Sequence, residues 1–85
     1  MGHFTTPDFW DCYNALPKQV RVLADKNYDL LQANPNHPSL HFRQIKEDVW
    51  SIRVGLHYRA LAFEENDGFS WFWIDPHTEN DKLIA

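Results

Sequence analysis

The hydrophobic period of the chain changes once, at Leu40. Before it, apolar side chains recur every three or four residues: Phe9, Trp10, Tyr13 and Leu16, then Val20, Leu23, Ala24, Leu30 and Leu31. That spacing marks amphipathic helices. Thr6-Pro7 supplies an N-cap and a first-turn proline, so a first helix is expected from there to the Leu16-Pro17 step. Pro17 can open a second helix, which Asn34-Pro35 ends, with Arg21 and Asp25 four apart on its wet side. Asn36-His37-Pro38 continues as a stiff loop. Beyond it the period is two: Leu40 to Lys46, Val49 to Val54, Tyr58 to Glu64 and Phe69 to Ile74 read as strands. They are joined at Glu47-Asp48, Gly55-Leu56-His57 and Asn66-Asp67-Gly68, and Pro76 ends the last. The pattern predicts an α+β domain spanning residues 1–85, with two N-terminal helices packed on one face of a four-stranded antiparallel meander sheet. Residues 77–85 are expected as one helical turn or a segment across the sheet.

Turn length fixes which side chains share a face. A three-residue connection at Gly55-Leu56-His57 sets Val54 against Tyr58 and therefore Arg53 against Arg59. Trp50, Ile52, Val54, Tyr58, Ala60 and Ala62 then share the face that takes the helices, because side chains alternate along a strand. Ser51, Arg53, Arg59, Leu61 and Phe63 share the other. A two-residue turn would put Arg59 beside Trp50 and Ile52, a buried charge costing several kcal/mol. Two like charges directly opposite are mildly destabilising, unless carboxylates such as Glu47 or Glu79, or a bound anion, offset them. Trp71 and Trp73 alternate with Phe72 and Ile74, so one pair is expected in the core and the other on the opposite face.

Composition adds two constraints. The 85 residues contain four Trp, six Phe and three Tyr, large apolar surfaces that suit a small core. One cysteine, Cys12, permits no internal disulfide, and a reducing, cytoplasmic setting is expected. No apolar run approaches the roughly 20 residues of a membrane span, and no basic-then-apolar leader opens the chain. The net charge of −4 argues against broad nucleic-acid binding. It is uneven, however: residues 35–63 carry Arg43, Lys46, Arg53 and Arg59 against Glu47 and Asp48, whereas residues 64–85 carry Lys82 against six carboxylates. A local basic strip survives on an acidic chain. His37 and His41 have an H-x₃-H spacing, but Pro38 between them forbids the helix a metal pair would need, and no metal or cofactor is expected.

The segments TTPDFWDCYNALPKQVRVLADKNYDLLQANPNHPSLHF, WSIRVGLHYRAL and WFWIDPHTENDKLI resemble the RelE/ParE superfamily of toxins from type II toxin–antitoxin modules, over Thr5 to Ile84. The similarity is to short members that begin at the helices. It implies a sheet whose helix-free face binds messenger RNA in the ribosome and cleaves it without metal, the RNA 2′-OH attacking the phosphate. By the same resemblance Arg53 and Arg59 match the basic strand pair facing the scissile phosphate, and His77 matches a phosphate or leaving-group position. Arg43 matches an RNA-holding position on the preceding strand, where Lys46 joins it. Arginine suits the phosphate as a planar, permanently charged fork, and histidine suits the proton transfers. The implied partners are a cognate antitoxin, messenger RNA and the ribosome, for a free toxin that is a monomer or weak dimer. Two positions depart from the family's ending: Asp75 replaces a glycine and Asn80 a tyrosine. The alternatives are a ParE-like toxin directed at gyrase and a non-catalytic member that only binds an antitoxin.

Overall fold

In a computed structural model, residues 2–76 are described, the side chains of Asp75 and Pro76 excepted. His77, Glu79, Asn80 and the rest of 77–85 lie outside the described residues. The elements in chain order are β1 (Gly2–Thr5), α1 (Pro7–Asn14), α2 (Lys18–Ala33), a short 3₁₀ turn (Pro38–Leu40), β2 (Arg43–Lys46), β3 (Val49–Val54), β4 (Tyr58–Glu65) and β5 (Gly68–Pro76). The sheet runs β1-β5-β4-β3-β2. The α+β architecture and the antiparallel β2–β5 meander are as the pattern predicts, but the sheet has five strands, not four.

The added strand is β1, which pairs parallel with β5 from Gly2 opposite Gly68 to Thr5 opposite Trp71. Its four residues carry no alternation of their own; the partner recruits them. Gly68 makes this possible, since a Cβ there would strike the Gly2 backbone. The His3 ring stacks on Phe69 and Trp71, with centroids 5.7 and 6.1 Å apart, and its Nδ1 accepts from Trp71 Nε1 at 3.1 Å.

Both helices start where the punctuation puts them. The Thr6 hydroxyl accepts from the Phe9 amide at 3.2 Å, capping α1, and Pro17 precedes α2. Arg21 and Asp25 do different work from the expected pair. Arg21 Nη1 donates to the Leu16 carbonyl at 3.2 Å, and Asp25 Oδ1 accepts from the Tyr13 hydroxyl at 2.8 Å. That bond raises the pKa of the Tyr13 phenol above its ordinary value, because the neutral O–H is the donor.

The core lies between α2 and the sheet, where Val20, Ala24 and Leu31 meet Ile52, Val54, Ala60, Ala62, Trp71 and Ile74. Leu40, fully buried at the edge of this cluster, shows why β2 begins at Arg43 and not at Leu40. Pro38 seeds a 3₁₀ turn that tucks Leu40 inward, with the Ser39 amide donating to His37 Nδ1 at 3.2 Å. Burying such a leucine contributes about 1.5–3 kcal/mol.

One irregularity re-aims β5. Leu61 pairs with Trp73 but Ala62 pairs with Trp71, so Phe72 is an extra residue in the ladder. A β-bulge of this kind shifts the alternation. Trp71 and Ile74 therefore belong to the core, whereas Trp73 lies in register with Leu61 on the other side. The expected pairing of Trp71 with Trp73 on one face does not occur.

Candidate functional site: an arginine-lined hollow on the helix-free face

The β3–β4 connection is the three-residue turn. Gly55, at φ +67°, takes its left-handed position, and Val54 pairs with Tyr58. Arg53 consequently stands opposite Arg59. Ile52, Val54, Ala60 and Ala62 are buried in the helix-side core, as alternation requires. On the reverse face, helix-free among the described residues, Arg53 is exposed, whereas Ser51, Arg59 and Leu61 are buried. Asn27 of α2 donates to the Arg53 carbonyl at 2.9 Å and so fixes the end of β3 from the helix layer.

A small hollow of about 20 Å³ opens among His41, Arg43, Ser51, Arg53, Tyr58 and Arg59. That is space for roughly one water-sized group, such as a single phosphate oxygen, with the rest of any substrate lying outside. Arg43 reaches it because β2 pairs with β3 in register, Arg43 opposite Ser51. A register shift between Gln44 and Lys46 sets Lys46 opposite Val49, farther along the same face, so Lys46 does not line the hollow. Arg43, Arg53 and Arg59 are thus brought together, Lys46 stands apart, and His77 lies outside the described residues. Asp75 is the β5 residue paired with Arg59 along the backbone.

Three lining residues are additions to the expected set. His41 follows the 3₁₀ turn in a left-handed conformation, φ +48°, which carries it to the rim of the hollow. Its signal was present: His41 and Arg43 are two apart in a period-two segment and fall on one face. Tyr58 and Ser51, which alternation places on the core face and on the arginine face, also line it.

Beyond Leu61 the same face turns aromatic. The Phe63 and Phe72 rings stack with centroids 4.2 Å apart and planes at 15°. Phe63 and Phe4 are exposed, and Trp73 Nε1 is buried without a hydrogen-bond partner among the described residues. Chemically, the face joins a cationic end that suits an anion to an apolar end that suits rings or a partner chain.

Comparison with known proteins gives a consistent picture. A family model described as a ParE-like toxin domain matches residues 18–80. No curated protein matches the sequence. Among solved structures, a chain of the RelB–RelE antitoxin–toxin complex from Methanococcus jannaschii is similar with a TM-score of 0.75 at 15% identity, covering 96% of this chain and 99% of that one. The YoeB/ParE toxin from Agrobacterium tumefaciens is similar with a TM-score of 0.67 at 15% identity, over 91% of this chain and 99% of that one. At these identities the structural likeness is one of fold. Among the described residues no helix is long and apolar enough to cross a membrane.

Proposed function

The chain belongs to the ParE-like toxin domain family, and from that premise we propose that it is the toxin of a toxin–antitoxin module that cleaves messenger RNA. The observation that carries the reading is the convergence of Arg43, Arg53 and Arg59 with His41 on one hollow of the helix-free face. Arginine forks hold the non-bridging oxygens of a phosphate and stabilise the charge that develops as it is attacked. The RNA 2′-oxygen attacks the adjacent phosphorus, the bond from phosphorus to the 5′-oxygen breaks, and a 2′,3′-cyclic phosphate remains. The 2′-OH loses a proton and the leaving oxygen gains one; His41, and His77 by its family position, are the side chains suited to those transfers. Because the nucleophile belongs to the substrate, the reading calls on no metal. The work would be done in the cytoplasm, where the ribosome presents the message.

Messenger RNA cleavage and growth should be followed after induction of wild type and of Arg53→Ala, an exposed position whose loss leaves the core intact. Wild type should arrest growth with cleaved message, and Arg53→Ala should do neither. Equal toxicity and cleavage by both proteins would sink the reading.

A second reading has its own observation. The aromatic end, with Phe4 and Phe63 exposed, suits a protein surface better than a phosphate chain. A ParE-like toxin directed at gyrase would leave translation running while DNA damage accumulates, and the same induction distinguishes it. A cognate antitoxin segment would cover this face in either case.

A further inference from the structure

The helix layer does not close fully on the sheet. Between them lies a cavity of about 150 Å³, roofed by Tyr13, Ala24 and Tyr28 and floored by Ile52, Ala60 and Ile74. It exists because α1 packs chiefly on β5 and α2 on β3, which leaves the space between them to small side chains. Ala24 on α2 and Ala60 on β4 both line it, and both are buried.

The chemistry of the lining limits what can enter. Apolar side chains make up most of the lining, and the polar groups at the rim are engaged with one another or with the backbone. The Tyr13 hydroxyl donates to Asp25 Oδ1 at 2.8 Å, Trp10 Nε1 donates to Thr5 Oγ1 at 3.0 Å, and the Tyr28 hydroxyl lies 3.5 Å from the His3 carbonyl oxygen. Water needs two to four polar partners and finds few free ones on this lining, whereas apolar cavities of this size accept small apolar molecules. An anionic ligand would lose its hydration and meet the Asp25 carboxylate in the lining.

We propose that this cavity is a binding site for one small, uncharged, apolar molecule of about the size of a single aromatic ring. It is a site separate from the arginine hollow. The sheet lies between the two, for the floor residue Ile52 immediately precedes Arg53 and Ala60 immediately follows Arg59. The proposal stands whether or not the chain cleaves RNA.

The test is a titration of the full chain with benzene, with benzoate as an anionic ring of similar size. Methyl resonances of Ile52, Val54 and Ile74 and the thermal midpoint are the readouts. Benzene should shift those methyls saturably and raise the midpoint, while benzoate should bind at least about tenfold more weakly, the equivalent of 1.4 kcal/mol. Ala24→Leu fills the cavity from the helix side and should abolish the shifts with the circular dichroism unchanged. Ala60→Val fills it from the strand side and gives the same reading if the first variant does not fold. The site does not exist if benzene gives no saturable shift, if benzoate binds equally, or if the shifts survive in the folded filling variants.

Discussion

Arg53 on β3 and Arg59 on β4 occupy directly opposed positions of one antiparallel ladder, and both line the same hollow. By itself such an opposition of like charges destabilises a sheet; Arg59 has a further interaction, whereas Arg53 is exposed. Arg53→Thr removes the repulsion at an exposed strand position and substitutes a good strand former. It should therefore raise the urea midpoint at low ionic strength while abolishing growth arrest. The gain should shrink near 1 M salt, where the Debye length is about 3 Å. Added phosphate should narrow the difference by stabilising the wild type alone. A lower midpoint for Arg53→Thr at low salt would show that the pair is not repulsive.

His3 gives the protein a pH dependence of predictable sign. Burial lowers its pKa below the ordinary value of 6.5, and its unprotonated Nδ1 accepts the Trp71 indole hydrogen. In the window just below 6.5 the unfolded chain binds the proton and the folded chain does not, so stability falls as the pH falls. The loss levels off once the folded imidazole also protonates. His3→Gln keeps an acceptor for Trp71 without the titration. Urea midpoints at about pH 5 and about pH 7.5 should differ more for wild type than for His3→Gln. An equal difference would place the acid sensitivity on other groups.

Gly68 faces the backbone of Gly2 with no room for a Cβ. Gly68→Ala should force β1 away from β5, at a cost of the order of 1–3 kcal/mol. Hydrogen exchange locates the effect: amides of 2–5 should lose protection while those of β3 and β4 keep theirs. Uniform loss across the sheet would mean that β1 is integral to the whole fold and not an added edge.

What could be read without coordinates was whatever the chain writes locally. Thr6-Pro7 and Asn34-Pro35 bound the helices, and the length of Gly55-Leu56-His57 was enough to oppose Arg53 to Arg59. What escaped depends on distant partners. Gly2–Thr5 has no period of its own and becomes a strand only beside β5. The bulge at Phe72 depends on how β4 and β5 settle against each other, so Trp71 and Trp73 part company despite their spacing. In the site, Arg53 and Arg59 were legible because turn length and alternation place them, whereas Arg43 rested on the family resemblance and joins them through the β2–β3 register. Asn27 was not legible, since its bond to the Arg53 carbonyl crosses from a helix 26 residues earlier in the chain.

His41 combines an unfavourable backbone with a favourable place. Its φ of +48° is left-handed, a conformation that costs a non-glycine residue roughly 1–2 kcal/mol, and it sits at the rim of the arginine hollow. Strain kept at such a point is expected where the side chain is needed there. Two substitutions separate backbone from imidazole. His41→Gly relieves the strain, offset in part by glycine's entropy, and should stabilise the fold by about 0.5–1 kcal/mol. His41→Asn keeps a residue tolerant of this conformation but cannot transfer protons. Both should reduce RNA cleavage at least about tenfold, within the range general acid–base catalysis contributes. Binding of an uncleavable RNA carrying a 2′-deoxy linkage should be nearly unchanged, because the arginines remain. Full cleavage by a folded His41→Asn protein would make His41 a turn residue only and leave proton transfer to other groups.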